Sequence, residues 1–62
     1  MSEVVIDQFT NSGSEYRFIR NERGDFCITK DGKITYKGFN LKHSRKQYDE
    51  FKRQVMRGGE NG

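Results

Sequence analysis

The segment DFCITKDGKITYKG, Asp25 to Gly38, constrains this chain more than any other. Two stretches of alternating apolar and polar residues flank Asp31-Gly32. That dipeptide tolerates positive φ at both positions, as a two-residue hairpin turn requires. The chain must therefore run out as a strand, reverse tightly and return beside itself. Alternation places Phe26 and Ile28 on one face with Cys27 and Thr29 opposite. After the turn, Ile34 and Tyr36 oppose Lys33, Thr35 and Lys37.

Two further strands precede this hairpin. EYRFIR alternates, with Tyr16 and Phe18 on one face and Arg17 and Ile19 on the other, and NERGD supplies a turn around Gly24. EVVIDQF is rich in β-branched and aromatic residues and is followed by the turn cluster NSGS. The remainder reads as a helix. Ser44 and Gln47 have capping-box spacing, Tyr48, Phe51 and Val55 form an apolar stripe, and Arg57 suits the negative end of the helix dipole. The expected fold is α+β: a four-stranded antiparallel β-meander followed by one C-terminal α-helix. One domain spans residues 1–57, and residues 58–62 (GGENG) form a flexible tail.

In such a fold the helix covers one sheet face. Tyr16, Phe18, Phe26, Ile28, Ile34 and Tyr36 are expected beneath Tyr48, Phe51 and Val55. Arg17, Ile19, Cys27, Thr29, Lys33, Thr35 and Lys37 are expected on the open face, which an antiparallel sheet can leave in water. The core is thin: of 62 residues, 31% are apolar, and Leu, Ile, Val and Phe together number 13. Chains of this size are marginal unless a disulfide, a metal or a partner subunit adds stability. Cys27 is the sole cysteine and His43 the sole histidine, too few for an intrachain disulfide or a zinc site. A homodimer is the remaining expectation.

No apolar run is long enough to span a bilayer, and the N-terminus lacks the pattern of a signal peptide. An intracellular location follows as the expectation, in the cytoplasm and nucleoid or in the nucleus. The net charge of +3 and the pI near 9.2 lean towards an anionic partner. Candidate phosphate contacts are Arg17, Arg20, Arg23, Lys30, Lys33 and Lys37, led by Arg17, Lys33 and Lys37. The same residues also suit a solvated face with charged edges that discourage strand addition. Arg23 and Lys30 have acidic neighbours that could pair with them locally.

Phe39 has two readings. Strict alternation from Lys37 places Phe39 and Leu41 on the open face, where Phe39 could stack on a base. A bulge at Gly38 would turn both towards the helix, and the shortage of apolar surface favours that corner or a dimer interface. Cys27 reads as a small half-buried filler, and His43 as a loop residue. The pattern contains no nucleophile–base pair, clustered carboxylates or cofactor loop, so neither an enzyme nor a cofactor is expected.

RGDFCITKDGKITYKGFNL followed by YDEFKRQV resembles the single-stranded-DNA-binding domain of the transcriptional coactivator family of positive cofactor four. Lys37, Gly38, Phe39 and Leu41 match its Lys-Gly-apolar-x-Leu segment, and Tyr48 and Phe51 match its helix anchors. EYRFIRNERGDFCI is also similar to the Pur-alpha repeat, another β-β-β-β-α nucleic-acid module. The resemblance covers roughly Glu15 to Val55. It departs from the family in the longer spacing between Leu41 and Tyr48. It implies a homodimer whose sheets form a concave surface for single strands, with little sequence specificity, acting in transcription, replication or recombination. A small phage-type adaptor or inhibitor that binds protein is the alternative, favoured by the mixed charge of the helix.

Overall fold

The computed structural model describes residues 3–57, so the expected tail lies outside the described residues. Strands β1 (Val4–Asn11), β2 (Ser14–Arg20), β3 (Phe26–Lys30) and β4 (Lys33–Gly38) form one antiparallel sheet in sequence order, followed by helix α1 (Leu41–Met56). This is the α+β meander that the alternation and turn chemistry predict.

The turns explain the topology. Asp31 and Gly32 have φ of 50° and 88°, and Ser12 and Gly13 have φ of 53° and 83°. Both hairpins thus reverse through two left-handed residues, whose twist matches that of the flanking strands. Between β2 and β3, the Asn21 side-chain oxygen accepts from the backbone N–H groups of Arg23 and Asp25, each at 2.9 Å. The Asp31 carboxylate accepts from the Glu15 N–H at 2.9 Å, tying the second hairpin turn to β2.

Tyr16, Phe18, Ile28 and Tyr48 are buried, with Phe26, Tyr36 and Phe51 partly so. Aromatic rings supply most of the core. Phe18 and Tyr48 stack at 4.9 Å, Phe9 and Tyr16 stack at 4.7 Å, and Tyr16 meets Phe51 edge-on at 5.5 Å. Offset stacks and edge contacts of this kind add to the area that large rings bury, which suits a chain poor in aliphatic residues. Ile6 and Phe9 of β1 also pack here, two core members that the alternation of the later strands does not reveal.

Two bulges alter the faces. In β1, Val5 opposes Ile19 whereas Asp7 opposes Phe18, leaving Ile6 as the extra residue. In β4, Tyr36 opposes Ile28 and Ile34 opposes Thr29, so Thr35 is extra, and its hydroxyl donates to the Ile28 carbonyl at 3.0 Å. A one-residue slip moves every side chain beyond it to the other face. Ile34, expected in the core, is therefore 59% exposed on the open face. Lys33, expected on the open face, pairs with Lys30 on the helix side.

The helix begins earlier than the Ser44 cap would place it. Asn40 is the N-cap, and its side chain accepts from the His43 N–H at 2.9 Å. Ser44 lies inside the helix, fully buried against β4. A Cβ at Gly38 would meet Tyr36 Oη at 2.6 Å and Ser44 Oγ at 3.0 Å. Gly38 is thus a close-packing glycine, and the bulge considered there does not form: Lys37 and Gly38 pair in unbroken register with Cys27 and Phe26.

Candidate nucleic-acid interface

The face opposite α1 is curled. One pocket of about 170 Å³ is lined by Val5 of β1, Arg17 and Ile19 of β2, Thr29 of β3 and Ile34 of β4. Outer strands of a flat four-stranded sheet lie about 14 Å apart, at roughly 4.8 Å per step, and a small pocket lined from all four strands fits a curled sheet. Bulges in both outer strands supply the curl, since each bends its strand and increases local twist. Ile19 and Thr29, which line the pocket, are buried, and so is Cys27, paired with Ile19 on the same face. Burial raises the Cys27 thiol pKa above its ordinary value. Lys37 opposes that shift, while Asp25 and Glu3 add to it. A thiol raised in this way is a packed side chain rather than a reactive thiolate.

The six candidate cations do not form one surface. Arg17, opposite Thr29, and Lys37, opposite Cys27, lie on the curled face. Arg17 meets Glu15 at 3.3 Å and Lys37 meets Asp25 at 3.7 Å. Exposed ion pairs contribute only about 0–1 kcal/mol and are screened by salt, so a phosphate can compete for both cations. Lys30 and Lys33 oppose one another on the helix side, and Lys30 Nζ sits 6.0 Å from the Tyr16 ring centroid. Arg20 pairs with Phe26 in register, which places it on the helix side as well, and Arg23 belongs to the β2–β3 turn.

Phe39 is 86% exposed and Leu41 49% exposed. The strand–helix corner therefore does not bury Phe39. Its ring stands in solvent two residues from Lys37, beyond the end of β4. The chain's positive charge also sits away from the sheet. Residues 1–40 contain six lysines and arginines and six acids, whereas residues 41–57 contain six against two, a net +4. Counting charge by segment gives this from sequence, although the reading of a basic sheet face misses it. On α1, Lys52 is held between Asp7 at 3.9 Å and the Phe9 ring at 5.4 Å.

Within the helix-side core, burial raises the Tyr48 phenol pKa, with the Asp7 charge adding to the effect. Among the described residues, no cluster of three or more His, Cys, Asp or Glu side chains could hold a metal, and no helix is long and apolar enough to cross a membrane. No family model, curated protein or solved structure matches this chain.

Proposed function

We propose that this protein is a single-stranded nucleic-acid-binding module, with single-stranded DNA as its first ligand, acting in transcription, replication or recombination. The observation that carries the reading is an unsupported aromatic ring, Phe39, beside Lys37 on the rim of a curled sheet face. Single-strand binders combine cations that follow the backbone with aromatic rings on which bases stack. Arg17 and Lys37 hold phosphates in this arrangement, Phe39 stacks on a base, and Val5 and Ile34 offer apolar atoms between them. Such binding reads little sequence, because phosphate contacts position a strand and stacking accepts any base. Arg20, Arg23, Lys30 and Lys33 lie outside this surface.

A homodimer belongs to the same proposal. The buried apolar set amounts to Tyr16, Phe18, Ile19, Cys27, Ile28 and Tyr48, while Leu41 and Met56 stay about half exposed. Light scattering at micromolar concentration is expected to give twice the chain mass.

The direct test is a titration of labelled single- and double-stranded oligonucleotides at two salt concentrations with the wild type and Phe39→Ala. Loss of one stacking ring, about 1–3 kcal/mol, weakens single-strand binding by roughly 5- to 150-fold and leaves the fold intact. Equal affinity in the two proteins would remove Phe39 from the site. The +4 charge of the helix segment supports a second reading, an adaptor that docks an acidic protein surface through α1. Failure of the wild type to bind any oligonucleotide would favour it.

A further inference from the structure

The pocket on the curled face adds Thr29 and Glu3 to the Arg17, Val5 and Ile34 that strand binding uses. Its volume of about 170 Å³ is well below the roughly 300–1,000 Å³ of sites for drug-sized ligands, so it suits one small ring system. Val5 and Ile34 make opposing apolar walls, 48% and 59% exposed. Ile34 stands there because of the Thr35 bulge. Without that bulge its side chain would face the helix.

The polar groups are few and specific. Thr29 is 7% exposed and lines the pocket, and among the described residues its hydroxyl has no hydrogen-bond partner. Among the described residues, the buried polar side-chain atoms left without a partner are Ser44 Oγ and Tyr48 Oη, so the Thr29 hydroxyl keeps access to the pocket and is free to bond a group placed there. Arg17 spends one guanidinium nitrogen on Glu15 and keeps further N–H donors. Glu3, on the other rim, presents a carboxylate that can only accept. Apolar walls, two donor groups and one bidentate acceptor describe a slot for a flat heteroaromatic ring with a polar edge.

We propose that this pocket takes one nucleobase of the bound strand and prefers guanine. Guanine alone presents two adjacent donors, its ring N–H and exocyclic amino group, to one carboxylate. Its carbonyl oxygen then faces Thr29 and Arg17. Thymine and uracil flank their single ring N–H with two carbonyl oxygens that repel Glu3. Adenine and cytosine set a ring-nitrogen lone pair beside their amino group and lose the second hydrogen bond. The inference rests on the strand-binding reading and adds a local preference to it. A bidentate contact to a base discriminates by roughly 5- to 150-fold.

Two measurements decide it. In the first, the wild type and Glu3→Gln are titrated with an eight-nucleotide oligothymidylate and with the same oligomer carrying one central guanine. The guanine oligomer is expected to bind at least about fivefold tighter to the wild type. Glu3→Gln should bring the two within about twofold, with oligothymidylate affinity equal to or above that of the wild type because the carboxylate that repels thymine is gone. Equal binding of both oligomers by the wild type would overturn the preference and leave strand binding standing. The second measurement follows backbone amide NMR signals during titration with guanosine or uridine monophosphate. The guanine nucleotide should shift Ile19, Thr29 and Ile34 more than the uracil nucleotide does. Such shifts without oligonucleotide binding would keep the pocket and reject the strand-binding reading. Their absence at millimolar nucleotide would reject the pocket whatever the oligonucleotides do.

Discussion

Two pairs of cations on opposite faces provide a controlled test of where nucleic acid lies. Arg17→Ala/Lys37→Ala removes the cations of the curled face. Lys30→Ala/Lys33→Ala removes an equal charge from the helix side, where the β4 bulge places Lys33. Both variants lower the net charge by two, so nonspecific attraction falls equally. Each phosphate contact to a single strand contributes roughly −0.7 to the slope of log K against log salt. Loss of Arg17 and Lys37 should therefore flatten the slope by about 1.4 per chain engaged, and loss of Lys30 and Lys33 by much less. Neither pair should affect folding greatly. Arg17 and Lys37 are exposed and their ion pairs are weak, and removing the like-charged Lys30–Lys33 pair relieves repulsion. The assay is fluorescence anisotropy with labelled oligothymidylate across a salt series, alongside circular-dichroism melts. Equal flattening by both variants would refute the assignment of binding to the curled face. Greater flattening by Lys30→Ala/Lys33→Ala would move the site to the helix side.

Phe18→Ala should cost about 3–5 kcal/mol in urea unfolding because its ring is fully buried. Ile34→Ala should stay within about 0.5 kcal/mol; a large loss there would deny the Thr35 bulge. Gly38→Ala should destabilise by about 1–3 kcal/mol through overpacking, less the roughly 0.5–1 that a strand gains on losing a glycine. Tyr36→Phe removes the closest contact, at 2.6 Å, and should relieve part of that cost; identical costs in both backgrounds would refute the packing account. Cys27 and Tyr48 have folded pKa values above their ordinary ones, so the folded state holds their protons more tightly. Their stabilising contribution is complete below the unfolded thiol pKa of about 8.5 and declines as pH rises beyond it, then beyond the unfolded phenol pKa of about 10. Urea midpoints should fall over that range, and Cys27→Ala should remove the first part of the fall.

The strand order and the two-residue turn at Asp31-Gly32 were legible from sequence, because turn dihedrals and period-two alternation are local properties. So were the helix-side positions of Tyr16, Phe18 and Ile28, which no irregularity separates from their turns. Tertiary structure decided the rest. A bulge at Ile6 or Thr35 leaves no residue type that announces it; it forms where curvature and helix packing offset a disrupted ladder. That single insertion in β4 exchanged the faces of Ile34 and Lys33 and so redrew the candidate binding surface. The helix start moved to Asn40 because Asn40 and Ser44 offer similar capping chemistry, and burial against Gly38 drew Ser44 into the helix. Phe39 emerged into solvent because register stays unbroken through Gly38, so alternation carries its ring away from the helix.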